Sequence, residues 1–139
     1  MRMLDDTYMF VDTRKILRLR NIIERTGAKL VLSSSWRYGA GKYSLPHDVM
    51  AYLKLREEFR RLRCPLWEDI TPIIPLVNRE VEITAWLDEH PEVTNFVILD
   101  DDYKGLMKYY DHLVICDEAV GLTKERAEEA IRILKEENI

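Results

Sequence analysis

Two short apolar runs end abruptly in polar residues. Val31-Leu32 passes into Ser33-Ser34-Ser35-Trp36-Arg37, and Phe96-Val97-Ile98-Leu99 passes into Asp100-Asp101-Asp102. A buried parallel strand reads this way when its carboxyl end opens at the edge of a sheet. One run brings hydroxyls and an arginine to that edge; the other brings carboxylates. Hydroxyl, cation and carboxylates at one sheet edge point to a phosphate-handling, metal-assisted site.

At 139 residues the chain is long enough for one core and is read as a single domain, 1–139. Its net charge of −4 argues against gripping nucleic acid through bulk positive charge, but a local basic patch could still hold a strand end. Cys64 and Cys116 lie far apart and in no metal-ligand spacing. Cys116, after Leu113-Val114-Ile115, reads as a small hydrophobe. No disulfide is expected, and the cytoplasm is the expected location. No apolar stretch is long enough to span a membrane, and no signal-peptide pattern is present.

Ile16, Leu19, Ile22 and Ile23 keep helical spacing over residues 13–25, with Asp12 as N-cap candidate and Gly27 as the stop. Residues 29–32 follow as a strand, and residues 38–44 read as a mobile loop. Pro46 opens a helix to about Arg63, with Val49, Leu53 and Phe59 expected inward. The charges from Arg56 to Arg63 are expected on a solvated face with i,i+4 pairs. The prolines between Leu66 and Val77 make residues 70–74 extended or loop, not a central strand. A helix over 78–89, with Ile83, Trp86 and Leu87 buried, precedes the strand at 96–99. A helix or turn over 103–110, a strand at 113–116 and a helix capped by Thr123 complete the chain. Strands alternating with helices predict an α/β fold with a parallel sheet flanked by helices. His47, His90 and His112 show no ligand spacing.

These pieces resemble the haloacid dehalogenase (HAD) superfamily, in particular its small phosphatase domains related to RNA-repair proteins. The resemblance rests on residues 27–37, Ile70-Thr71-Pro72, Arg79 through Trp86-Leu87, Val97 to Asp102, and Gly121-Leu122-Thr123. It implies a three-layer, Rossmann-like (HAD-like) sheet with helices on both faces and a small cap-like insertion, residues 38–70. It also implies Mg²⁺-dependent phosphomonoester hydrolysis, in which an aspartate attacks phosphorus. Carried over by position, Ser33 or Ser34 binds the phosphoryl group, and Arg79 is the basic residue that steadies nucleophile and phosphate. Asp100 and Asp101 are the metal ligands, and Arg37 is a further candidate for the phosphate. The substrate implied is a phosphorylated small molecule or a nucleic-acid end. The plainer alternatives are a turn at Ser33-Ser34-Ser35, a solvated acidic turn at Asp100-Asp101-Asp102, and Arg79 as an ordinary helix-start residue.

One part of the family pattern is not found. No Asp-x-Asp followed by glycine occurs. Asp12, after Tyr8-Met9-Phe10-Val11, is the best stand-in for the nucleophile, but Arg14 occupies the position of the general acid. The family places the strand with that motif at the centre of the sheet, where unpaired backbone would be costly. Tyr8 to Val11 could fill the slot, or two copies could exchange N-terminal strands as a homodimer. Two readings of function follow: a phosphohydrolase, or an inactive HAD-like module that binds a phosphorylated ligand or a protein partner.

Overall fold

The structure, a computed structural model, describes residues 13–33, 35–40, 45–100, 104–116 and 122–135. Helix α1 spans Thr13–Thr26. It ends where the sequence demands: Gly27 adopts φ +72°, and its N–H donates to the Ile23 carbonyl at 2.8 Å. A residue with a Cβ is strained in that left-handed turn. A short link then enters β1, Val31–Leu32. It pairs in parallel with β2, Asp69–Ile70, in the register Val31 to Asp69 and Leu32 to Ile70. Glu68 N–H donates to Leu30 O and Thr71 N–H to Leu32 O, extending the ladder by one bond at each end. The proline-rich stretch thus contributes two strand residues, and Pro72, with no N–H to donate, follows them.

After α3, Arg79–Asp88, β3 spans Ile98–Asp100 and pairs in parallel with β4, Leu113–Ile115. Among the described residues the sheet is therefore two two-stranded pieces. Side chains alternate across the second piece as a pleated strand requires. Val97, Leu99, Val114 and Cys116 pack toward α1 and the last helix, α4 (Lys124–Lys135). Phe96, Ile98, Leu113 and Ile115 pack with Ile83 and Leu87 of α3. Helices thus lie against both faces of β3 and β4. The chain is an α/β protein, with a 3₁₀ segment at Lys104–His112 leading into β4.

Helix α1 joins the two sheet pieces. Ile22 belongs to the cluster with Val114, Ala130 and Ile131, and Ile16 to the cluster with Leu55, Phe59 and Cys64. Leu19 packs against both. Polar contacts reinforce the seam: Arg18 donates to Leu122 O at 3.0 Å, Arg20 to Leu62 O at 2.8 Å, and Arg25 pairs with Glu128 at 2.9 Å. Burial pushes the Cys64 thiol up to about 11, so this cysteine stays protonated and acts as a core residue.

Helix α2 spans Pro46–Arg61 and buries Phe59 as expected, but not Leu53. Its inward face is Ala51, Leu55 and Phe59, and Leu53 is 53% exposed. Phe59 and Leu55, one turn apart, set the rotation against Ile16, and Leu53 then turns outward. The charged residues pair mainly at i,i+3, Arg60 with Glu57 and Arg61 with Glu58, alongside the i,i+4 pair of Lys54 with Glu58. Of the loop expected at 38–44, residues 38–40 belong to a 3₁₀ turn, Ser35–Ala40. Gly39 sits so close to α2 that an added Cβ would lie 2.0 Å from the Asp48 carbonyl oxygen.

The C-terminal end of α3 is fastened to β2. The Trp86 indole donates to Asp69 Oδ2 at 2.8 Å and stacks on His90. His90 Nδ1 lies 2.7 Å from the Trp86 carbonyl, and its Nε2 lies 3.6 Å from Asp69. The indole hydrogen bond, then that from Ile70 N–H, holds the Asp69 carboxyl below its ordinary range.

Ile22→Ala is expected to lower unfolding free energy by about 2–5 kcal/mol, while Leu17→Ala on the outer side of α1 should change it by less than about 0.5 kcal/mol; denaturant titration reads both. Gly39→Ala should lower the melting temperature, because Asp48 backbone must shift. A depressed carboxyl stabilises the fold fully above about pH 4 and loses that contribution as pH falls through its folded value. Asp69→Asn should therefore shrink the difference in melting temperature between neutral and acid pH; an unchanged difference would show that the Trp86 contact carries no linkage.

Candidate functional site

Asp100 is the last residue of β3. Its carbonyl accepts from Cys116 N–H at 2.8 Å, which fixes the strand end against β4. Pleat alternation sends its side chain to the α3 face, where it is only 4% exposed. A carboxylate so deeply buried needs a partner, and Arg79 supplies it: Nη1 of the guanidinium donates to Asp100 Oδ2. Arg79 is the first residue of α3, held there by Asn78, whose side chain accepts from Val81 N–H at 3.1 Å. A cation at a helix N-terminus is at the unfavourable end of the macrodipole. The buried carboxylate offsets this, and the Arg79 side chain remains 35% exposed at the rim.

The direction of α3 aligns the strands. Along β3, Arg79 meets Asp100, while Ile83 and Leu87 belong to the cluster with Ile98 and Phe96. Helix α3 therefore runs antiparallel to β3. Beside β2, Glu82 in the first turns accepts from Ile74 N–H at 2.9 Å, while Trp86 reaches back to Asp69. Helix α3 is thus antiparallel to β2 as well. With both strand pairs parallel, all four strands point the same way, with Ser33, Thr71, Asp100 and Cys116 at the carboxyl edges of the two pieces.

Ser33 follows β1 directly and is half-buried. Arg79 and Asp100, 21 residues apart in sequence, are brought into contact. Asp12, Ser34 and Asp101 lie outside the described residues. Arg37 lies in the 3₁₀ turn after Ser33, with its side chain outside the description. Thr71, only 3% exposed, adds a second hydroxyl residue to the edge. Sequence reasoning quoted Ile70-Thr71-Pro72 without giving Thr71 a place in the site; the strand-to-proline junction was the available signal. It also left His90 without a partner, although its i,i+4 spacing from Trp86 on one helix was the clue to the stacked pair. A pocket of about 280 Å³ is lined by Glu80, Val81, Thr84, Ala85, Asp88 and Lys108, and neither Arg79 nor Asp100 is part of its lining.

The described donors do not by themselves fit a resident divalent cation. No group of three histidine, cysteine or acidic side chains gathers among the described residues. Asp100 already has a cation beside it in Arg79. Magnesium wants near-octahedral oxygen ligation, which a single carboxylate shared with a guanidinium does not supply alone.

No helix among the described residues is long and apolar enough to cross a membrane. No curated protein and no solved structure matches the chain. A family model described as the HAD domain in Swiss Army Knife RNA repair proteins matches residues 2–127. That match takes in both sheet pieces, the Arg79–Asp100 pair and the first residues of α4, and the chain belongs to this family of HAD domains.

Proposed function

We propose that the carboxyl edge of this domain binds the phosphoryl group of a phosphomonoester and that the chain is a HAD-type phosphohydrolase. The observation that carries the reading is Arg79 at the head of α3, paired with a buried Asp100 at the end of β3 and partly exposed at the rim. A guanidinium in that position can offer paired N–H donors to a phosphoryl oxygen without being created anew for the task. Ser33 and Ser34 supply hydroxyl donors at the end of β1, and Arg37 a second cation. Phosphorylated small molecules and nucleic-acid ends both present the required dianion. The family's occurrence in RNA repair proteins favours the nucleic-acid end.

In this reading Asp12 is the nucleophile. Its carboxylate attacks phosphorus, the ester P–O bond breaks, and an alkoxide leaves; water then cleaves the acyl phosphate, restoring the carboxylate and releasing phosphate. Arg14 stands where the family's general acid is expected, and a guanidinium does not serve as a general acid. The leaving oxygen must take its proton from water, so turnover favours leaving groups that are stable as anions. Magnesium on Asp100 and Asp101 belongs to this reading as the counter-ion that the family implies. When bound it supplies neutralisation of phosphoryl charge. The reading also places Tyr8 to Val11 as a strand between β1 and β3, within a three-layer sheet, or exchanged between two copies.

Arg14 also supports a second reading, an inactive module that holds a phosphorylated ligand. Aryl phosphate hydrolysis, followed with the full chain in magnesium buffer, separates the two. The first reading expects turnover that falls to background in Asp12→Asn and drops by about 10²-fold or more in Arg79→Ala. Fluoroberyllate binding without turnover would select the second. Turnover unaffected by either substitution would remove this edge from the chemistry. For strand exchange, light scattering should give a dimer that deletion of residues 1–11 dissociates; a monomer unaffected by the deletion counts against it.

A further inference from the structure

We infer that the loop joining β2 to α3 presents an apolar lip, Ile73, Leu76 and Val77, and that this lip receives the flat ring of the alcohol that carries the phosphoryl group. The inference rests on the phosphoryl-binding reading and names a substrate class for it: ring-bearing phosphomonoesters, not sugar phosphates. The loop leaves the carboxyl end of β2 at Thr71 and returns at Asn78, the cap of α3. It therefore stands on the carboxyl side, next to Arg79. Leu76 precedes Arg79 by three residues, so their Cα atoms lie within about 11 Å of each other.

Leu76 is the informative residue. Its side chain is fully exposed and joins none of the apolar clusters among the described residues. One exposed leucine means little by itself. This one also has φ +67°, in the left-handed region. Pro75 followed by a positive φ is the signature of a type II turn, where glycine or asparagine fits with least strain. A leucine there is strained and buries nothing in return. The fold gains nothing from this side chain, so its use lies outside the fold. Ile73 and Val77 are exposed as well, which makes a small apolar patch of the loop.

The loop is also anchored along its length. Pro72 and Pro75 fix their own φ. Thr71 N–H donates to Leu32 O at 3.0 Å, Ile74 N–H to Glu82 Oε2 at 2.9 Å, and the Asn78 side chain accepts from Val81 N–H at 3.1 Å. Glu82 is itself buried. A side chain displayed on a fixed loop loses little freedom when a ligand covers it. Aliphatic carbon beside a phosphoryl-binding guanidinium gives a ring a surface to cover. A sugar phosphate, hydroxylated on both faces, gains nothing from that surface.

Calorimetric titration of the full chain with methylphosphonate and phenylphosphonate, which carry no ester bond to hydrolyse, tests this. The natural protein should bind phenylphosphonate about tenfold more tightly than methylphosphonate. In Leu76→Asn the two should bind within about twofold of each other, with methylphosphonate affinity unchanged. Arg79→Ala should weaken both ligands. Leu76→Asn should melt at the same or a higher temperature, because asparagine tolerates the turn and the leucine packs on nothing. Equal affinity for the two ligands in the natural protein, a ring preference that survives in Leu76→Asn, or a lower melting temperature in that variant would each overturn the lip and leave the phosphoryl site standing. Neither ligand bound by the natural protein would remove both. Light scattering reads the rival occupant: a dimer that Leu76→Asn dissociates would give the lip to a second copy and overturn the inference. Adenosine 5′- and 3′-monophosphates, titrated in EDTA against ribose 5-phosphate, tell the two sources of a ring apart. Tighter binding of either nucleotide assigns the ring to a nucleobase, and a preference confined to phenylphosphonate assigns it to an aryl alcohol.

Discussion

The Arg79–Asp100 ion pair is the contact on which the candidate site depends. A carboxylate as buried as Asp100 needs a counter-charge that is itself held in place. The Asn78 cap fixes the start of α3, and the start of α3 fixes Arg79. On the same face, Ile83 and Leu87 of α3 share one apolar cluster with Ile98 and Phe96. The far end of the helix is set independently by Trp86 on Asp69. A helix fastened at both ends aligns β2 and β3 in one direction and gathers the strand ends at one edge. Chemistry and architecture thus share one contact.

Helix α1 does the complementary work on the apolar side. It has no acidic residue in its first turn to favour its macrodipole, and its stability comes from packing. Ile22 and Ile16 serve two separate cores, with Leu19 between them. Strand segments of two or three residues are too short to form a stable sheet unaided. Covering them with α1 and α4 on one side and α3 on the other excludes water from their hydrogen bonds. Arg18 and Arg20 then satisfy the carbonyls of Leu122 and Leu62, both in loops that α1 crosses.

Much of this was legible in the sequence because the strongest signals are local. Apolar spacing located α1, a proline opened α2, Thr123 capped α4, and Gly27 ended α1. The two apolar runs located β1 and β3 because each ends in residues that cannot stay buried alone. What was not legible depends on partners distant in the chain. The rotation of α2, with Leu53 outward, is decided by Ile16, which no periodicity within α2 reveals. The pairing of Asp69 and Ile70 with β1 is hidden by the neighbouring prolines. The close packing of Gly39 on Asp48 made a turn of what composition alone presents as a loop. The asymmetry between a 4% exposed Asp100 and a 35% exposed Arg79 is likewise a tertiary fact.

The central claim is that the edge bearing Ser33, Arg79 and Asp100 is a phosphoryl site. Crystals soaked in tungstate, a heavy tetrahedral dianion, test it most directly by anomalous diffraction. A peak within hydrogen-bonding reach of Arg79 and the end of β1 is the expected result. Well-occupied peaks only elsewhere on the surface, with this edge empty, would contradict the account.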